Sequence, residues 1–93
     1  MIEDRTSDIQ ALRVRVARIA EYLHLDAKRT DLAALEERTT ASDFWGDQST
    51  AQQVMAQASG LRDEISAYES LVSDLDELEV ANELAVGDSD EEL

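Results

Sequence analysis

The chain has 93 residues and a formal net charge of −14, from 22 acidic and eight basic side chains. This balance argues against direct nucleic-acid binding, which needs Lys and Arg to neutralise phosphates, and against binding to anionic membrane surfaces. One histidine and no cysteine exclude a disulfide framework and the usual zinc ligand sets. The lack of proline, the three glycines and the many helix formers predict an all-α protein.

The first predicted helix has apolar residues spaced alternately three and four apart, which places them on one face. These residues are Ile9, Leu12, Val16, Ile19 and Leu23. The pattern breaks at His24, and Asp26 is a plausible N-cap for a second helix. That helix carries Leu25, Leu32 and Leu35 and fades at Thr39 and Thr40. Because it has only three or four turns, it is expected to pack on a neighbour.

The connection after the second helix holds two adjacent aromatic residues, Phe44 and Trp45, which are the only Phe and the only Trp. Adjacent aromatics in a polar connection usually fill a gap in a small core, so we expect Trp45 to be buried. The alternative is an exposed contact point for a partner, since Trp is enriched at such positions. His24 is expected to be an exposed capping residue, with a metal or acid–base role as the alternative.

The third predicted helix is long. Ser49 and Gln52 match a capping box at its start, and Gly87 is placed to end it. Its apolar stripe alternates fours and threes over three heptads, as in a coiled coil, and then turns polar at Glu79 and Asn82. The stripe consists of Val54, Ala58, Leu61, Ile65, Tyr68, Val72 and Leu75, widened by Leu71 and Leu78.

These elements predict an antiparallel bundle of about three helices with one long C-terminal helix. We expect residues 1–87 to form the bundle, and the acidic residues 88–93 to be the start of a further helix. Residues 63–93 contain twelve acids and no base. They form either a solvated face with an acidic tail or an electrostatic surface for a basic partner.

No catalytic, cofactor-binding or metal-ligating residue is assigned from the sequence. There is no Gly-rich phosphate loop and none of the common short catalytic motifs. The carboxylates lie on predicted exposed faces, whereas general acid catalysis needs a desolvated pair. We therefore expect neither enzymatic activity nor a cofactor.

Several segments resemble the N-terminal helical domain of the bacterial peptide chain release factor 2 family. The resemblance begins with Tyr22-Leu23-His24-Leu25-Asp26 and continues through Asp43-Phe44-Trp45-Gly46-Asp47. It extends to Glu83-Leu84-Ala85-Val86 and the acidic run that follows. In order, these segments are fairly specific, and they cover roughly residues 9–93.

The resemblance implies a cytoplasmic protein that ends translation at UGA and UAA. Its N-terminal domain would contact the stalk base of the large ribosomal subunit, where ribosomal protein and ribosomal RNA both lie. The family reads stop codons with Ser-Pro-Phe and hydrolyses peptidyl-tRNA with Gly-Gly-Gln, and neither tripeptide occurs in this chain. Its charge distribution suggests that Arg13, Arg15 and Arg18 face RNA, while the acidic helix faces protein or solvent.

Two other interpretations stay open. One is a free-standing acidic helical adaptor that pairs through its long helix, and the other is an acidic nucleic-acid mimic. Separately, we expect Val72, Leu75, Leu78 and Val86 to be exposed and to favour a homodimer.

Overall fold

The computed structural model describes residues 4–91, with the surroundings of side chains defined for residues 4–87. This range contains three α-helices, one short 3-10 helix and no strand, which confirms the all-α prediction. The helices are α1 (Thr6–Tyr22), α2 (Leu25–Arg38) and α3 (Gln48–Glu91), and the 3-10 helix is Phe44–Gly46.

The chain divides into two compact units. The first combines residues 4–19 with residues 69–91, and the second comprises residues 20–68. Helix α3 therefore supplies its C-terminal half to the first unit and its N-terminal half to the second.

In the first unit, α1 lies antiparallel to the C-terminal half of α3. The backbone N–H of Arg5 donates to Asn82 Oδ1 at 2.8 Å, and Arg13 Nη2 donates to Asp76 Oδ1 at 2.8 Å. Residue numbers that rise along α1 thus pair with numbers that fall along α3. Ile9, Val16 and Leu75 are buried in this unit.

Fewer apolar residues are buried in the first unit than the apolar stripes of α1 and α3 predict. Leu12 and Ile19 are 38% and 43% exposed, and Leu71 and Leu78 are 40% and 51% exposed. The reason is geometric: a pair of helices covers only the residues along its line of contact, and the flanks need a third element.

The expectation that Val72, Leu75, Leu78 and Val86 are exposed is also wrong in part. Leu75 is only 4% exposed, and Val72 and Val86 are half-buried. Of that set, Leu78 alone is open to solvent.

The second unit buries Leu25 together with Ala51, Val54, Ala58 and Ile65 of α3. Two ion pairs link α2 to α3, Lys28 with Glu64 and Glu36 with Arg62. The expected N-cap of α2 is wrong, since α2 begins at Leu25 and Asp26 lies in its first turn. The capping position belongs to His24, which turns the chain with a left-handed backbone at φ 54°.

Both predicted ends of α3 are wrong as well. The helix begins at Gln48, and Asp47 caps it by accepting hydrogen bonds from the backbone N–H and the hydroxyl of Thr50. A carboxylate accepts both bonds at once, which the Ser49 hydroxyl cannot do from inside the first turn. Gly87 lies within the helix at negative φ, so it does not act as a stop.

The acidic residues 88–91 continue α3, and residues 92 and 93 lie outside the described part. The assignment of 88–93 as the start of a further helix thus stays a prediction, as does the domain boundary at residue 87.

Candidate interaction surface

The three arginines predicted to face RNA have different environments. Arg13 turns towards α3, where its guanidinium donates to Asp76 and to Glu79, and only 32% of its side chain is exposed. The hydrogen bonds to Asp76 and then Glu79 raise the pKa of Arg13 above its ordinary value. Arg13 is thus paired within the chain, and its predicted contact with RNA stays a prediction.

Arg15 and Arg18 differ from Arg13 in that both are exposed on α1. Neither makes an ion pair with any residue in the described range. Their guanidinium groups are thus available to a ligand, which makes this part of α1 a basic surface on a strongly acidic chain.

The polar residues that interrupt the stripe of α3 hold the start of α1. Asn82 accepts from the backbone of Arg5 and donates to Thr6 Oγ1 at 3.1 Å and Asp4 Oδ1 at 3.3 Å. Thr6 also donates to Asp4 through its hydroxyl and its backbone N–H. The hydrogen bonds from Thr6, and then that from Asn82, lower the pKa of Asp4.

The sequence showed that the stripe turns polar at Glu79 and Asn82, but it did not predict the hydrogen bonds and ion pairs by which these residues hold α1. The position of Arg13 could have predicted its contact with α3. Arg13 comes four residues after Ile9, so it lies on the same face of α1.

The two adjacent aromatic residues differ in their exposure to solvent. Trp45 is 60% exposed, so the expected core position is wrong, and the alternative of an exposed partner contact fits the structure. Phe44 is half-buried and meets Trp45 edge to face, with ring centroids 4.8 Å apart and an interplanar angle of 89°. The Asp47 cap directly follows this connection and fixes the start of α3.

His24 is exposed, as expected for a capping residue. It borders an open depression of ≈ 420 Å³ whose lining includes Leu25, Arg29 and Tyr68. Between residues 4 and 91, no three His, Cys, Asp or Glu side chains converge as metal ligands would. No helix in the same range is both long and apolar enough to cross a bilayer.

Comparison with known proteins gives the family. The model of the PCRF domain matches residues 28–93, which is more than half of the chain. The chain belongs to the PCRF domain family. The matched range includes α2 from its fourth residue onward, the aromatic connection and the whole of α3, and α1 precedes it.

Three curated proteins are similar to this PCRF-domain chain over nearly its whole length. It is 39% identical over 87 residues to peptide chain release factor 2 of Salinispora tropica, covering 94% of this chain and 23% of that protein. Identity is 37% over 90 residues to the factor of Kineococcus radiotolerans, covering 97% and 24%. For the factor of an Exiguobacterium species it is 30% over 92 residues, covering 99% and 25%.

These alignments confirm the resemblance to the N-terminal region of release factor 2. The PCRF chain spans about a quarter of the length of the curated relatives it matches. No solved structure gives a significant match.

Proposed function

We propose that this chain is the non-catalytic N-terminal region of a translation termination factor that acts in the cytoplasm at UGA and UAA codons. The observation that carries the proposal is the alignment of nearly the whole chain with release factor 2 proteins, joined to the PCRF match over residues 28–93. Residues 1–87 would form the domain, and the acidic residues 88–93 would lead into the next segment.

The proposed role is to position the factor on the ribosome, at the stalk base of the large subunit. Stop-codon reading and ester hydrolysis would belong to other parts of the longer protein, since Ser-Pro-Phe and Gly-Gly-Gln are absent from these 93 residues. General acid catalysis needs a pair of carboxylates shielded from water. No carboxylate in the described part of the chain is buried, which supports a binding role.

The charge distribution suggests that basic and acidic parts of the chain contact different ribosomal partners. Arg15 and Arg18 would contact ribosomal RNA, because guanidinium groups without partners bind phosphate well. The acidic C-terminal half of α3 would repel RNA, so it would face a basic ribosomal protein or solvent. Trp45 would supply an aromatic contact to a ribosomal protein.

The proposal is tested with the longer protein whose sequence contains residues 1–93. Its affinity for ribosomes carrying a stop codon in the A site is compared with that of a version that lacks this region. We expect the deletion to weaken binding while a saturating concentration still supports release of the peptide. Unchanged affinity would contradict the positioning role and would favour the adaptor alternative.

A further inference from the structure

Helix α1 carries an exposed tyrosine next to the two arginines that make no ion pair. Tyr22 is 84% exposed, and its side chain has no hydrogen bond and no ring contact with a described residue. A single exposed aromatic ring is ordinary on a protein surface. What gives this ring a role is its position relative to Arg15 and Arg18.

The three side chains lie along one side of a single helix. Since α1 is unbroken over this stretch, about 100° per residue places Arg15, Arg18 and Tyr22 within about 60° of each other. The buried residues Ile9 and Val16 lie about 100° or more away around the helix, so the three exposed residues face solvent. At about 1.5 Å per residue they span about 10 Å, which is roughly the length of three stacked nucleotides at about 3.4 Å each. We call these three residues the basic stripe.

The residue types of the basic stripe suit an unpaired nucleotide. A guanidinium group binds a phosphate through two N–H groups at once. An exposed aromatic ring stacks on a base that is splayed out, as happens in RNA loops and bulges. A paired RNA helix keeps the faces of its bases covered, so it would engage the arginines and leave the tyrosine ring without a partner.

The acids of α1 favour a base over a phosphate at the Tyr22 end. Asp8, two turns before Arg15 on the same side, is paired with Arg5. Glu21 makes no ion pair with a described residue, and it lies about 100° from Tyr22 at the edge of the basic stripe. Because a free carboxylate repels phosphate, the RNA backbone is better placed beside Arg15 and a base beside Tyr22.

We infer that Tyr22 stacks on an unpaired base of ribosomal RNA, while Arg15 and Arg18 hold the phosphates next to that base. The inference rests on the proposed function, in which these two arginines contact ribosomal RNA. It adds the residue that distinguishes a splayed base from a paired helix. Stacking releases no counterion, so the contribution of Tyr22 to affinity does not depend on salt as that of the arginines does.

The first experiment measures the affinity of the longer protein for ribosomes carrying a stop codon in the A site, over a range of salt concentrations. We expect Tyr22→Ala to weaken binding by about fivefold or more, and Tyr22→Phe, which keeps the ring, to stay within about twofold of the parent. The slope of the salt dependence should be equal in all three proteins, because neither substitution changes the charge.

A control accounts for the loss of any exposed side chain. Met55 lies on α3 and is 38% exposed, so Met55→Ala should leave ribosome affinity unchanged. Thermal unfolding of the 93-residue chain, followed by circular dichroism, checks that Tyr22→Ala and Met55→Ala both remain folded.

The second experiment identifies the ribosomal component that Tyr22 contacts. Acylation of RNA 2′-hydroxyl groups reports how mobile each nucleotide is, and a stacked nucleotide is less mobile. At saturating concentration, the parent and Tyr22→Phe proteins should lower the acylation of an unpaired nucleotide of ribosomal RNA, and Tyr22→Ala should not.

Two results would overturn this inference alone, provided that deletion of residues 1–93 still weakens binding. One is equal affinity of the parent and Tyr22→Ala proteins. The other is a loss of affinity in Tyr22→Ala with the same acylation pattern as the parent, since Tyr22 would then contact a ribosomal protein. If deletion of the whole region has no effect, the proposed function and this inference both fail.

Discussion

Trp45 shows at the scale of a single residue how local sequence can mislead. An adjacent Phe and Trp between two helices suggest a core plug, yet Trp45 is 60% exposed and only Phe44 is half-buried. The buried side chains of the second unit are small and aliphatic and come from α2 and α3, and the indole ring is not among them.

We expect Trp45→Ala to reduce the free energy of unfolding by less than about 1 kcal/mol, against about 3–5 kcal/mol for a buried Trp. The fluorescence of this single Trp should resemble that of tryptophan in water and be quenched by iodide. Shielded emission together with a loss above about 2 kcal/mol would contradict the exposed position.

Asp47 makes the start of α3 sensitive to acid. The hydrogen bonds from Thr50, first from its hydroxyl and then from its backbone, lower the pKa of Asp47. A carboxyl whose pKa is lower in the folded state stabilises the fold above its unfolded pKa of about 3.9 and loses that effect as pH falls through the folded pKa.

The acid sensitivity at Asp47 is tested by Asp47→Asn, which still caps but does not titrate. The loss of thermal stability below about pH 4 should be smaller in this variant than in the parent chain. Asp43→Asn is the control, since Asp43 makes no capping hydrogen bond. Equal pH dependence in the parent and Asp47→Asn chains would contradict the assignment.

The two exposed arginines carry the proposed RNA contact. We expect Arg15→Glu and Arg18→Glu, made in the longer protein, each to lower ribosome affinity and to reduce the slope of its salt dependence by about one. Arg38→Glu makes the same change of charge on α2 and serves as the control. Equal effects at all three positions would indicate a general response to net charge instead of a contact.

At the scale of the elements, periodicity predicted three helices correctly, because each has an apolar stripe with helical spacing. The predicted start of α3 was wrong because two nearby polar residues, Asp47 and Ser49, could each act as the N-cap. Gly87 misled for a related reason: glycine permits a stop but does not impose one. The exposure of Leu71 and Leu78 could not be predicted, since it depends on how many helices cover α3.

The continuity of α3 is tested at its glycines. Cβ atoms at Gly60 and Gly87 would meet nothing within 4 Å, and both residues have negative φ. We therefore expect Gly60→Ala to raise stability by about 0.5–1 kcal/mol, and Gly87→Ala to raise helicity with a smaller gain near the helix end. A loss of stability in Gly87→Ala, measured by thermal unfolding, would indicate a left-handed stop at that position.

At the scale of the whole molecule, the sequence predicted more of the identity than of the surface. The ordered motifs from Tyr22 to Val86 gave the family that the comparisons confirm. The partnership of Arg13 with Asp76 and Glu79 joins residues more than sixty positions apart, and such contacts follow from packing, not from local pattern. The sequence therefore predicted which charged residues the candidate surface contains, but not which of them pair with each other.

We propose that these 93 residues belong to a factor that ends translation at UGA and UAA. The most direct measurement is peptide release by the longer protein from ribosomes stalled at UGA, UAA or UAG. We expect rapid release at UGA and UAA and little at UAG. Release at UAG that equals release at UGA, or no release at any stop codon, would contradict it.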